Sequence, residues 1–411
     1  MFVHSSVRRG LVAIGTGAAI LAAAACGGTS SAHSQSAGAG ASGSSSPSAS
    51  AEANSSAVVT ILPKNGATGV DTNGTLKVSA ASGKLTQIAV TGDDGSKIDG
   101  SIAGDGSSWT PSGALHTGTK YSVVATATDA QGKAVTDRSA FTTLTPSATD
   151  IANFNVNPGD TYGVGMEVSL NFTSSVSDSY KAAVLKGVTV TADPAVDVQG
   201  HWFGNDRVDF RPQSYWAPGT KVTLHLHLNG VRTSQDTYGQ QNKDVSFSIG
   251  RYQVSVADNN AHTLTVYSAP GVVRKQLPAS LGDPQHTTYN GKMVITEKDP
   301  TVDMNSQTVG LGNAYRIKDV PHGMRLTTSG TFVHGNYWRP ASVFGSENTS
   351  HGCVGLRDVQ GGGDPNTPAA WFYGSSIIGD VVQVQNSPDR IVSADNGLNG
   401  WNLSWSAWTS N

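Results

Sequence analysis

From Val58 onward, apolar and polar residues alternate in short runs such as Ile88-Ala89-Val90 and Tyr121-Ser122-Val123-Val124-Ala125, with Asp-Gly and Ser-Gly pairs between them. Alternation of period two broken by such turn residues predicts half-buried strands. The block closes with a strand over residues 139–144, followed by Thr145-Pro146. A second block opens near Phe154 and has apolar-polar runs at 168–172, 188–190, 207–210 and 222–228, ending near 246–249. In both blocks a Gly-Thr-Lys turn leads into a long strand: Gly118-Thr119-Lys120 and Gly219-Thr220-Lys221. Strands of this length and spacing predict two β-sandwiches, at residues 58–145 and 146–250.

No cysteine pair bridges either block, so both are expected to be immunoglobulin-like modules without the inter-sheet disulfide. A third block, residues 251–385, has less regular strands, among them 254–256, 264–267 and 291–296. A C-terminal segment, residues 386–411, is expected to pack on it. There Trp401, Trp405 and Trp408 fall at i, i+4 and i+7, one face of a helical turn, and are expected to anchor the segment on its neighbour. The fold class is therefore mainly β.

The N-terminus departs from this pattern. Arg8 and Arg9 precede an apolar run from Leu11 to Ala25, too short to span a bilayer but suited to an export signal. The run ends Ala23-Ala24-Ala25-Cys26-Gly27, which resembles the lipobox of bacterial lipoproteins. That resemblance implies cleavage after residue 25, a lipid on Cys26, and a protein anchored to the outer face of the cytoplasmic membrane. An ordinary secretory signal is the alternative. Residues 26–57 are almost all Ser, Ala and Gly and are expected to form a tether.

Composition narrows the function. The 411 residues include 27 basic and 30 acidic ones, a formal charge of −3 with no basic cluster, which argues against nucleic acid as a partner. Only 14% of residues are charged, against roughly 25% in ordinary domains. Two cysteines exclude a disulfide scaffold and a four-cysteine metal site. If Cys26 carries lipid, Cys353 is the one mature thiol. His225 and His227 share one face of a strand at i, i+2, as a metal site would need, but no third ligand is near them in sequence. They are expected to be a polar strand face, with Leu224, Leu226 and Leu228 turned inward. No metal or organic cofactor is expected.

The chemistry concentrates around Cys353. His334 is followed by Gly335, Asn336, Tyr337 and Trp338, and 15 residues separate it from Ser350-His351-Gly352-Cys353. A free thiol of pKa about 8.5 is only a few per cent ionised at neutral pH, so a nucleophilic cysteine needs a base or a cation beside it. Two histidines are candidates, and Gly352 allows a sharp turn whose amides can face an oxyanion. Those parts suit acyl transfer. A metal site of His334, His351 and Cys353 is disfavoured by the tight His-x-Cys spacing.

The pattern of His334, the intervening stretch and Ser350-His351-Gly352-Cys353 resembles the motif of bacterial L,D-transpeptidases. Actinobacterial members are similar over most of the chain, from lipoprotein signal and tether through two immunoglobulin-like domains to a catalytic domain and a segment like 397–405; the stretch 367–385 also resembles them. The resemblance implies that Cys353 attacks a stem tetrapeptide at meso-diaminopimelate, expels D-Ala, and passes the acyl group to an acceptor amine. The product is a 3→3 cross-link, in cell wall biogenesis and cell shape. It implies His334 as base, oriented by the Gly335 carbonyl, amides of Gly352 and Cys353 as oxyanion donors, and His351 shaping the turn. Tyr315, Met304, Tyr337, Trp338 and Ser350 are implied for the substrate cleft, and β-lactams of the carbapenem type as covalent inhibitors. One position departs: Gly355 stands where the family usually has Asn, and Arg357 is a candidate to compensate. A cysteine carboxypeptidase and a non-catalytic wall-binding lipoprotein are the competing readings. Papain-like wall hydrolases are disfavoured, because there the cysteine usually precedes the histidine.

Overall fold

The structure, a computed structural model, describes residues 54–309, 312 and 316–410. The export signal, Cys26, most of the tether and Tyr315 lie outside the described residues. In the first sandwich, strands Val58–Leu62, Lys77–Ala81, Ser108–Pro111 and Gly100–Ile102 form one sheet and Lys84–Gly92, Lys120–Thr128 and Ala134–Thr142 the other. Alternate residues of Lys120–Thr128 turn inward, so Tyr121, Val123, Ala125 and Ala127 meet Trp109, Leu115 and Phe141 in the core. The closing strand starts earlier than its apolar run suggests, because backbone pairing continues through the polar residues from Thr128↔Ala134 to Lys120↔Thr142.

The second sandwich has sheets of Thr161–Tyr162, Asn242–Ile249, Lys221–His227 and Val188–Asp193, and of Val198–Phe203, Arg207–Pro212, Val168–Phe172 and Ala152–Phe154. It also contains a helix, Asp178–Gly187, that strand spacing did not predict. Its local features are those of a helix start and surface: Ser177 at the N-cap position, Asp178 in the first turn, and an Asp178–Lys181 ion pair at 2.8 Å.

The third domain is built on one nine-stranded sheet: β1 (Val254–Asp258), β2 (Thr263–Ala269), β3 (Val272–Ser280), β4 (Gly291–Val294), β5 (Glu297–Asn305), β6 (Arg316–Arg325), β7 (Phe332–Asn336), β8 (Val354–Arg357) and β9 (Val381–Gln385). Their order across the sheet is β4-β9-β1-β2-β3-β8-β7-β6-β5. Pairing is antiparallel except for β1 with β9 and β7 with β8. Helix α1 (Pro368–Ser375) covers the core with Ala369 and Phe372, and its N-cap Thr367 accepts from Ala370 N–H at 3.2 Å.

The C-terminal segment packs on the second sandwich as well as the third domain. Asn399 and Asn402 accept the backbone N–H groups of Val294 and Lys292, while the indole N–H groups of Trp401 and Trp408 donate to the carbonyls of Gly165 and Gln199. The tryptophans do not share one helix: Trp401 lies in a 3-10 turn and Trp405 begins a separate helix, Trp405–Thr409. They converge on Arg211, whose buried guanidinium lies 4.7 Å from the Trp401 ring, 5.5 Å from Trp405 and 4.3 Å from Trp408. The same guanidinium donates to the carbonyls of Gly400 and Leu403. Val254, Val294 and Val381 of the third domain join the second sandwich's core, so the two share one hydrophobic interior.

Within that interior Glu167 is buried against the Gly400 backbone, near Asp209, Arg211 and Arg207. Burial, reinforced by the Asp209 charge, pushes its carboxyl up, and burial does the same to Asp209 although Arg207 grips it through two hydrogen bonds. A carboxyl that holds its proton more tightly folded than unfolded favours the fold while protonated. Glu167's contribution is complete below the ordinary carboxylate value of 4.5 and is lost as pH climbs through about 8. Glu167→Gln, neutral at every pH, is expected to be more resistant to urea than the parent at pH 9, with the advantage shrinking toward pH 4.5. Parallel pH dependences of the two midpoints would refute this account.

Candidate active site

His334 is the central residue of β7, and Cys353 immediately precedes β8. The two strands pair in parallel from Val333↔Val354 to Asn336↔Arg357, with His334 opposite Gly355. Side chains alternate across a strand, so the faces of β7 and β8 that carry His334 and Asn336 also carry Cys353 and Gly355. They open into a cleft lined by Met304, Ile317, His334, Asn336, Trp338, Arg339, Thr349, Ser350, His351 and Cys353. Of the residues expected there, Tyr337 is not a lining residue; it packs edge-on against Trp338 at 5.0 Å. Trp338 lies parallel to the His334 ring, 5.7 Å away. Met304 packs with Val320, Phe332 and Cys353 at the cleft wall.

Three glycines let the strands and the turn come this close. Gly352 has φ +105°, a conformation that L side chains rarely adopt. At Gly335 a Cβ would strike the carboxylate of Asp358. At Gly355 it would lie 3.3 Å from the Ser280 carbonyl and 3.5 Å from Nδ2 of Asn336. The Asn336 amide thus occupies the space over Gly355, with its Oδ1 accepting the Arg339 N–H at 3.2 Å. Arg357 is exposed at the end of β8 and does not line the cleft.

The turn is held from within. Ser350 Oγ donates to the Cys353 carbonyl at 2.7 Å and accepts the Gly352 N–H at 3.2 Å. Ser350 therefore organises the nucleophile's turn although it also lines the cleft, and the Gly352 amide, expected to face an oxyanion, is already engaged. His351 is exposed, its ring 4.6 Å from that of His286; burial first, then the His286 charge, lowers its pKa.

The L,D-transpeptidase catalytic domain family matches residues 252–384, and the bacterial Ig domain family residues 67–232. L,D-transpeptidase 2 of Mycobacterium tuberculosis is 31% identical over 348 residues, 84% of this chain and 82% of its own. The chain belongs to the L,D-transpeptidase family. L,D-transpeptidase 5 of the same species is 30% identical over 359 residues, 86% of this chain and 76% of its own. Among solved structures, the LD transpeptidase LdtMt1 in complex with imipenem is similar at 29% identity and a TM-score of 0.47, over 58% of this chain and 100% of that one. The chain is thus an acyltransferase of peptidoglycan cross-linking.

The site of this L,D-transpeptidase has an electrostatic character that its sequence did not reveal. His334 is buried, and its Nδ1 lies 2.8 Å from the Gly335 carbonyl. A carbonyl only accepts, so Nδ1 carries the proton and Nε2 is the basic nitrogen. Burial lowers the His334 pKa, opposed by the Gly335 hydrogen bond and by the charge of Asp358. Asp358, which no motif singled out, is buried behind Gly335 and accepts from His322 Nδ1 at 2.7 Å and Thr367 Oγ1 at 3.0 Å. Burial also pushes the Cys353 thiol up to about 11. Burial thus favours the uncharged form of each group, and the Cys353 thiol donates to the Gly330 carbonyl at 3.8 Å. Asn336 was legible in hindsight, since i, i+2 from His334 on a strand shares its face; Arg339 and Thr349 carry no such signal.

A neutral thiol reacts only through its ionised fraction. Alkylation of Cys353 by iodoacetamide is expected to keep accelerating from pH 7 through pH 9, approaching a plateau only near about 11. A plateau near neutrality would instead reveal a stable ion pair.

Proposed function

We propose that Cys353 is the nucleophile and His334 the general base that form 3→3 cross-links between stem peptides. The observation that carries this reading is the parallel pairing of β7 with β8, which sets the imidazole and the thiol in one cleft. As Sγ attacks the diaminopimelate carbonyl of a donor tetrapeptide, the thiol proton passes to His334 Nε2. The C–N bond to D-Ala breaks, the imidazolium returns that proton to the departing amine, and a thioester on Cys353 remains. An acceptor amine then attacks the thioester carbon and gives its proton to His334, and as the C–S bond breaks the imidazolium passes that proton to Sγ, restoring the thiol. Through both steps the Gly335 carbonyl holds Nδ1–H, and the Asp358 carboxylate favours the transient imidazolium.

With the Gly352 amide engaged by Ser350, oxyanion stabilisation falls to the Cys353 N–H. Asn336 Nδ2 is the donor to a carbonyl of the bound stem, in the place where the family usually has Asn on the neighbouring strand. Met304 and Trp338 contact the substrate, whereas Tyr337 braces Trp338. β-Lactams of the carbapenem type acylate the same sulfur, a reading supported by the imipenem complex of a similar protein. The Ala23-Ala24-Ala25-Cys26 run supports export with a lipid on Cys26, which would hold the enzyme at the outer face of the cytoplasmic membrane.

Incubation with disaccharide-tetrapeptide and mass spectrometry tests the assignment. Cross-linked dimer is expected with the parent and absent with Cys353→Ala; released tripeptide alone would favour a carboxypeptidase, and thiol-independent products would exclude both. Imipenem is expected to add covalently to the parent and not to Cys353→Ala. Asn336→Ala is expected to lower kcat/KM roughly fivefold, the worth of one net hydrogen bond of ~1 kcal/mol, and to lower the melting temperature somewhat because the Arg339 N–H loses its acceptor. Unchanged kcat/KM would remove Asn336 from the cleft's donors.

A further inference from the structure

The outer face of the second sandwich carries a cluster distant in sequence from the catalytic motif. His225 and His227 project from Lys221–His227 on one side, while Leu224 and Leu226, which alternate with them, are buried in the core. The neighbouring strand Asn242–Ile249 runs antiparallel, with Asp244 directly opposite His225. Both imidazoles point at one carboxylate oxygen: His225 Nδ1 lies 2.9 Å and His227 Nε2 3.0 Å from Asp244 Oδ1. The three donor atoms lie within 4.8 Å of one another. Asp244 supplies the third ligand that the sequence seemed to lack.

We propose that His225, His227 and Asp244 bind a divalent transition cation of the Zn2+ class. Two imidazole nitrogens and a carboxylate oxygen are the donor set that Zn2+ takes in three-ligand sites, the fourth position being left to solvent. Zn2+ bonds of about 2.0–2.2 Å put neighbouring tetrahedral ligands roughly 3.3 Å apart, so the Asp244–imidazole distances need open by a few tenths of an ångström, while the two imidazole nitrogens, within 4.8 Å, need to close by up to about 1.5 Å. The imidazoles and the carboxylate are partly or mostly exposed, which leaves them free to make that shift.

A second observation is independent of the ligand atoms. The other nitrogen of His225, Nε2, lies 2.9 Å from Thr191 Oγ1 on the flanking strand Val188–Asp193. A histidine that gives one nitrogen to a metal characteristically donates its other N–H to an oxygen, which fixes the tautomer and the ring plane. Thr191 is placed to accept that proton when Nδ1 faces the cation. No Lys or Arg among the described residues forms an ion pair with Asp244, so the carboxylate is not held by a competing cation.

Calorimetric titration of the chelator-stripped chain with ZnCl2 tests the site. One saturable Zn2+ per chain is expected, retained in Cys353→Ala, which removes the alternative thiol ligand. His227→Ala and Asp244→Asn are expected to abolish it, and Thr191→Val to weaken it roughly 10- to 100-fold. The parent's melting temperature should rise with Zn2+ and that of His227→Ala should not, since a ligand of the folded state stabilises by mass action. The circular dichroism of each metal-free variant establishes that it is folded, and Asp244→Asn, with its near-isosteric side chain, serves if His227→Ala is not. Absence of saturable binding, equal affinity in all variants, or loss of binding only in Cys353→Ala would overturn the proposal.

Discussion

The site depends on the parallel contact between β7 and β8. Parallel strands cannot be joined by a tight hairpin, so the connection after Trp338 has to travel away and return before Cys353 can enter β8 in the direction of β7. That return sets the register, and the register sets the chemistry. His334 faces Gly355, a position with no side chain to crowd the imidazole, and Cys353 lies at the mouth of the same face. Each close approach falls on a glycine: Asp358 packs against Gly335, Asn336 over Gly355, and the turn into the nucleophile uses the positive φ of Gly352. A side chain at Gly335 would strike Asp358 and one at Gly352 would strain the turn, whereas at Gly355 a Cβ would ask its neighbours to give by only a few tenths of an ångström.

The packing that sets His334 and Cys353 in one cleft also removes their water. Desolvation penalises an imidazolium and a thiolate alike, so burial shifts both groups toward their uncharged forms. Asp358 offsets part of that penalty where it is needed. Its carboxylate lies behind Gly335, tied to His322 and to the N-cap hydroxyl of α1, and it favours the imidazolium without touching the ring. The cap of one helix and the basicity of the His334 imidazole are therefore coupled through a single carboxylate.

The domains around the site differ in how they are joined. The first sandwich meets the second through polar contacts, such as Thr72 to the Gly230 carbonyl and Asp71 with Arg232. The second sandwich and the third domain share one interior that takes in Val254, Val294 and Val381, and the C-terminal segment is wound across both. Arg211 is the centre of that seam: three indoles cover its guanidinium and two carbonyls of the segment accept from it. A buried charge is tolerable there because aromatic faces, carbonyls and Glu167 surround it. The sheet bearing β7 and β8 thus rests on a second sandwich that cannot part from it without exposing this cluster.

The sequence by itself determined what is local. Alternation such as that of Lys120–Thr128 fixed strands and their inward residues, because the side-chain period of a strand is two whatever it pairs with. The spacing from His334 to Ser350-His351-Gly352-Cys353 pointed to the family and to His334 and Cys353 as the candidate reacting groups, since a motif records chemistry that needs those residue types. Helix Asp178–Gly187 was missed because its short amphipathic run lies among strands and gives little periodicity of its own. Partnership across long stretches of chain belonged to the tertiary structure alone. Asp358 behind Gly335, Asn336 over Gly355 and Asp244 between two histidines are juxtapositions set by strand register, which no local pattern encodes. The shifts of His334 and Cys353 toward their uncharged forms belong there too, because a pKa follows the water a group loses, and burial is a property of the folded whole.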